Sequence, residues 1–152
     1  MKQQADVLNT IALAVEFLEH LEQLAWAVGD CYRAAPSPLR DGSARRVTIL
    51  ARLAATYAHE GLALFQHYQA EIERLQPDES PEQTAPVGLG DVHALGLEYC
   101  ERLGCLFLAL CRCCKAQRKP TSDNAEAMVL AEVGAYEAQR GADAFEGGPH
   151  EP

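Results

Sequence analysis

Apolar residues recur every three or four positions in four long segments, which is the spacing of amphipathic helices. The first segment runs from about Asp6 to Gly29 and carries one apolar stripe: Val7, Ile11, Ala14, Leu18, Leu21, Ala25 and Val28. The second begins at Ser43, a residue type that caps helices, and runs to about Leu75. Its large apolar residues predict a buried stripe of Leu50, Leu53, Tyr57, Leu64, Tyr68 and Ile72.

The third segment spans about Asp91 to Gln117, and the fourth runs from Ser122 or Asp123 to near Phe145. The predicted stripe of the third comprises Val92, Leu95, Tyr99, Leu103, Leu106 and Leu110. No useful length of the chain alternates apolar and polar residues as a strand does. Four helices with short connections predict an all-α, antiparallel up-down four-helix bundle.

A length of 152 residues favours one domain. We expect a single helical domain over residues 1–146 and a flexible tail over 147–152. The domain divides into a first hairpin (6–75), a proline-rich linker (76–90) and a second hairpin (91–146).

The two hairpins resemble one another in sequence. Residues 12–34, ALAVEFLEHLEQLAWAVGDCYRA, align without gaps on residues 94–116, ALGLEYCERLGCLFLALCRCCKA. The helices that follow also align, with matches that include Gly61 with Gly141 and Phe65 with Phe145. The sequence therefore predicts a duplicated αα-hairpin and a bundle with pseudo-twofold symmetry.

Five of the six cysteines lie between Cys100 and Cys114. Free cysteines often pack as small apolar residues, and the helical spacing places Cys105 on the face opposite the stripe. A structural zinc site needs four converging ligands. The alternative to core packing is therefore a metal- or ligand-binding bundle that uses Cys31, Cys111, Cys113 and Cys114.

Basic residues gather around the two turns that an up-down bundle places at one end. Arg40 and Arg52 belong to this region, and the predicted partner- or anion-binding basic pole comprises Arg33, Arg45, Arg46, Arg112, Lys115, Arg118 and Lys119. Helix dipoles account for basic residues at helix ends but not for Arg45 and Arg46 at a helix start. Asp41, Asp123 and Glu126 lie close enough in sequence to neutralise part of this charge.

Motifs for catalysis are missing from the sequence. No Glu-x-x-His pair of a di-iron bundle occurs, nor a glycine-rich phosphate loop. The stretch VHALGLEYCERLG around His93 resembles the phosphoacceptor segment of histidine phosphotransfer domains. It departs from that pattern at Gly96 and Leu97, where the family has Lys and Gly. The sequence thus predicts no enzyme and no cofactor.

The net charge of −9 argues against direct binding to nucleic acid or to anionic membranes. The start of the chain lacks the pattern of a signal peptide, so we expect a cytoplasmic protein with reduced thiols.

A non-enzymatic regulator, adaptor or inhibitor that binds another protein is the favoured function. Its surface would be the basic pole or an open apolar face, since Leu13, Phe17, Leu24 and Trp26 widen the apolar arc of the first helix. A homodimer would cover such a face. A less favoured alternative is an acidic mimic of nucleic acid that occupies a DNA-binding partner.

Overall fold

The computed structural model describes residues 2–33, 42–75, 87–116 and 122–147, and these ranges hold four α-helices and no strand. Helix α1 spans Lys2–Arg33, α2 Gly42–Arg74, α3 Leu89–Lys115 and α4 Ser122–Glu146. The prediction of an all-α four-helix bundle is confirmed. Most of the predicted linkers and tail, with Arg118 and Lys119, lie outside the described residues.

The helices begin and end within four residues of the predicted positions. Helix α1 differs most from its predicted range, because it continues through Gly29 to Arg33 rather than ending at the glycine. Helix α2 begins at Gly42, one residue before the predicted cap. At the start of α3, the Gly88 N–H donates to the Asp91 carboxylate at 3.2 Å, which satisfies one of the free donors of that helix end.

Helix α1 packs mainly on α2, and α3 mainly on α4; α1 also contacts α4, and α2 contacts α3. Residue numbers rise along one helix as they fall along its neighbour. The Gln4 amide donates to the Ile72 carbonyl at 3.2 Å, whereas Gly29 lies against Ala51. In the second pair, Gly96 lies against Phe145 and Gly104 against Ala138.

The predicted stripe of α1 is buried at every position. On α2 the predicted stripe is wrong at Leu53, whose side chain is exposed, and Leu50, Tyr57, Leu64 and Tyr68 are only half-buried. The buried face of α2 is instead built largely of alanine: Ala44, Ala51, Ala54, Ala55 and Ala58, with Val47, Leu62, Phe65 and Ile72. Small side chains let two helix backbones approach closely, so this face packs on α1 although its residues are not the largest.

A similar shift occurs on α3. Leu103, Leu110 and Val92 are buried as predicted, whereas Leu95, Tyr99 and Leu106 are half-buried. The centre of the buried face is completed by small residues and one ring: Gly96, Cys100, Phe107, Cys111 and Cys114. Three of the clustered cysteines therefore pack in the core, while Cys105 is exposed on the opposite side.

Packing between the two helix pairs repeats at positions that the internal alignment matches. Phe65 meets Tyr99 edge-on, with ring centroids 6.2 Å apart and planes at 64°. Phe145 meets Phe17 with centroids 6.3 Å apart and planes at 67°. Likewise, Gly61 lies against Leu18 and Tyr99, and Gly141 lies against Cys100 and Phe17. The contacts match pair by pair, and the duplication that would explain them stays a prediction.

No helix in the described ranges combines the length and the apolar character needed to cross a membrane.

Candidate functional site

The end of the bundle where α1 and α3 finish holds the described residues of the predicted basic pole. A buried polar contact joins the helices there: the Tyr32 hydroxyl at the end of α1 donates to Asn124 Oδ1 near the start of α4. The Asn124 amide donates in turn to the Cys114 carbonyl at 3.2 Å. Since buried polar groups that keep their hydrogen bonds hold neighbouring elements in one arrangement, this contact fixes α1 against α3 and α4.

Five basic residues of the predicted pole lie in the described ranges, and all five are exposed: Arg33, Arg45, Arg46, Arg112 and Lys115. Two of them have acidic partners. Arg33 lies 3.4 Å from Asp30, and the Lys115 ammonium lies 4.0 Å from Glu132.

Charge at this end is divided between two sides of the molecule. On the α1–α2 side, residues 26–33 and 42–59 contain four arginines and one aspartate. On the α3–α4 side, the matching segments 108–115 and 122–139 contain two basic and four acidic residues. The basic surface therefore belongs to the α1–α2 side rather than to the whole end.

A groove of about 310 Å³ lies on that side. It is lined by residues from both helices: Ala25, Trp26, Gly29, Arg33, Thr48 and Arg52. Gly29 of α1 packs on Ala51 of α2 at the base of this groove. The only tryptophan of the chain is 41% exposed and lines this groove together with Arg33 and Arg52. An indole with an open face can receive an apolar side chain or stack on another group, and arginines can bind carboxylates with two hydrogen bonds.

Two further apolar side chains extend this surface along α2. Ile49 and Leu53 are one helical turn apart and are 56% and 53% exposed. Arg45 precedes Ile49 by one turn, so basic and apolar side chains are interleaved on the outer side of the helix. We call Trp26, Arg33, Arg45, Ile49, Arg52 and Leu53 the α1–α2 face.

The four cysteines of the metal alternative come together at this end of the bundle. Burial raises the pKa of Cys114 most, and the Tyr32 hydroxyl, 3.7 Å from the sulfur, lowers it. The other three thiols lie close enough to raise the pKa of Cys114 further. Burial also raises the pKa of Cys31 and of Cys111. Metal ligation needs the thiolate, so these environments favour the protonated, non-ligating form.

Among the described residues, no three His, Cys, Asp or Glu side chains are arranged so that they could hold a metal ion. All four cysteines of the alternative lie within the described ranges.

His93 lies at the other end of the bundle. Its ring is half-buried, and Nδ1 lies 3.3 Å from the Phe145 carbonyl. The ring also meets Phe145 edge-on at 6.1 Å. This contact engages Nδ1 alone of the two ring nitrogens, and phosphoryl transfer to a histidine needs only one open nitrogen.

Sequence reasoning identified Arg33, Arg45 and Arg46 but did not join them to Ile49 and Leu53. Leu53 was expected in the core because leucine is usually buried. The sequence pattern that could have indicated this surface is the helical spacing of Arg45, Ile49, Arg52 and Leu53, which places all four on one side of a helix.

No protein-family model matches this chain, and neither the curated proteins nor the solved structures contain a significant match.

Proposed function

We propose that this chain is a non-enzymatic protein that acts by binding another protein through the α1–α2 face. The observation that carries the proposal is the exposure of Trp26 beside Arg33 and Arg52 in one groove. Tryptophan and arginine are enriched among the residues that dominate binding energy at protein interfaces. A surface that exposes large apolar groups within a basic rim is best covered by a partner with matching apolar and acidic groups.

The charge of the molecule supports the same type of partner. The chain carries −9 overall, so the arginines of the α1–α2 face stand out against an acidic body. Such a local basic surface attracts an acidic region of a partner while the rest of the molecule repels it, which fixes the orientation of docking. The partner we expect is a protein with an exposed acidic and apolar segment.

Affinity capture with variants of the chain tests this proposal. The immobilised wild-type chain, Trp26→Ala and Arg52→Glu are each exposed to extract of the native cells under reducing conditions. The control is Leu13→Ala, which removes an exposed apolar side chain that lies away from the groove. Bound proteins are quantified by mass spectrometry.

We expect at least one protein that the wild type and Leu13→Ala retain and that Trp26→Ala and Arg52→Glu lose. With that protein purified, Trp26→Ala should weaken the affinity by about 2 kcal/mol, the usual scale for a dominant interface residue. The proposal is wrong if every captured protein binds all four chains equally.

A further inference from the structure

Three exposed large apolar residues of the second helix pair occupy positions that match exposed apolar residues of the first. In the internal alignment, Trp26 corresponds to Leu108, Ile49 to Val129 and Leu53 to Val133. All three partners are exposed, at 52%, 55% and 42%. Two matched apolar surfaces therefore lie on opposite sides of one molecule, one on α1–α2 and one on α3–α4.

Acidic residues outnumber basic residues around the second surface, whereas basic residues outnumber acidic residues around the first. Glu132, whose carboxylate also lies 4.0 Å from the Lys115 ammonium, occupies the position that matches Arg52, and Glu126 occupies the position that matches Arg46. Both glutamates are exposed, and Glu126 and Glu132 lie one turn to either side of Val129. We call Leu108, Glu126, Val129, Glu132 and Val133 the α3–α4 face.

We propose that the α1–α2 face of one copy binds the α3–α4 face of a second copy. The α3–α4 face has the acidic and apolar character that the α1–α2 face requires of a partner, and both faces share one arrangement of exposed apolar groups. This inference rests on the proposed function, because it names the partner of the same surface.

Pairing two different faces makes the contact heterologous. Each bound copy still presents one free face, so addition continues until the assembly closes into a ring or extends as an open chain. A closed twofold dimer would instead bury the same face of both copies. The proposed contact therefore predicts species larger than a dimer as the concentration rises.

Sedimentation velocity of the purified full-length chain, under reducing conditions and over a wide concentration range, tests the inference. The average mass of the wild type should rise beyond that of a dimer and should fall when sodium chloride is added, since exposed charge pairs are screened by salt. Trp26 provides an independent measurement on the wild type: its fluorescence should shift to shorter wavelength as association covers the indole.

Charge reversal identifies the faces. Arg52→Glu and Glu132→Arg should each weaken association by roughly tenfold or more, because each places like charges across the contact. An equimolar mixture of the two variants should associate again, since each supplies one unaltered face. The double variant Arg52→Glu/Glu132→Arg, in which the two charges are exchanged, should recover self-association.

Matched controls are Arg74→Glu at the end of α2 and Glu146→Arg at the end of α4. Both residues are exposed, and both lie at the opposite end of the bundle, so association should not change. Circular dichroism of each variant verifies that the helices are retained.

Three results would overturn the inference: a monomer at every concentration, association that Glu132→Arg does not weaken, or a double variant that stays dissociated. If the purified chain is monomeric while capture of another protein still depends on Trp26 and Arg52, the inference is wrong and the proposed function stands. If neither self-association nor capture depends on these residues, both are wrong.

Discussion

The six cysteine side chains differ in their surroundings, although five of them lie on one helix. Cys100 packs in the core against Gly141, whereas Cys105 is exposed five residues later. Burial raises the pKa of the Cys100 thiol to about 12. A thiol in this environment behaves as a small apolar group, because the thiolate would have to form without water.

This burial predicts a pH dependence of stability. A thiol of the unfolded chain ionises near pH 8.5, whereas folded Cys100 keeps its proton until about pH 12. In this range the unfolded state binds fewer protons than the folded state, so the free energy of unfolding falls as pH rises. Relative to Cys100→Ala, the wild type should lose about 2 kcal/mol by about pH 10.

Urea denaturation at a series of pH values measures this difference. Below the pKa of the unfolded thiol the two proteins should respond to pH in parallel. Cys105→Ala is the control, since its thiol is exposed in both states, and it should follow the wild type. A Cys100→Ala protein with the same alkaline slope as the wild type would contradict the assignment.

At the scale of the helices, small residues decide how closely α3 and α4 approach. Gly134 of α4 lies against the ring of Phe107, which is fully buried in α3. A methyl group added to Gly134 would overlap ring atoms of Phe107, and a ring enclosed on all sides has little room to move. Gly104 of α3 similarly lies against Ala138 of α4.

We therefore expect Gly134→Ala to lower the free energy of unfolding. Overpacking of a core costs about 1–3 kcal/mol, and the better helix propensity of alanine offsets about 1 kcal/mol of it. The matched control is Gly90→Ala in the first turn of α3, where the added methyl group would meet nothing within 4 Å beyond its chain neighbours and the backbone of its own helix. Urea denaturation should show the control to be as stable as the wild type or slightly more stable. If Gly134→Ala and Gly90→Ala were equally stable, the close approach of Gly134 to the Phe107 ring would be contradicted.

At the scale of the whole molecule, the two helix pairs meet through equivalent rings. Phe65 of the first pair packs on Tyr99 of the second, and Phe145 of the second packs on Phe17 of the first with nearly the same geometry. If the pairs descend from one hairpin, a second copy of the first pair could replace the second pair, with Phe17 in the position of Tyr99.

A fragment of residues 1–75 should accordingly form a helical dimer. Circular dichroism measures the helix content of the fragment, and sedimentation equilibrium measures its mass. Phe17→Ala should reduce dimerisation because it removes the aromatic ring at the contact between the two copies. The control substitution is Leu13→Ala, whose side chain is exposed in the whole protein. A monomeric fragment with little helix would contradict the equivalence of the two pairs.

The sequence alone determined the four helices of the described ranges, approximately where each begins and ends, and which side of α1 is buried. These features depend on the local spacing of apolar residues, and in α1 the large apolar residues and the buried face coincide. The exposed position of Cys105 followed from the same spacing, because 100° per residue fixes the relative directions of side chains on one helix.

Only the tertiary structure decided which sides of α2 and α3 face the core. Their buried faces are rich in alanine, glycine and cysteine, which the apolar pattern ranks below leucine and tyrosine but which allow helices to pack closely. Because the alanine-rich side of α2 faces the core, Leu53 is exposed and lies with Ile49 on the basic side of the bundle. Which helices share a surface depends on contacts between residues far apart in the chain, and the spacing within one helix does not specify those contacts.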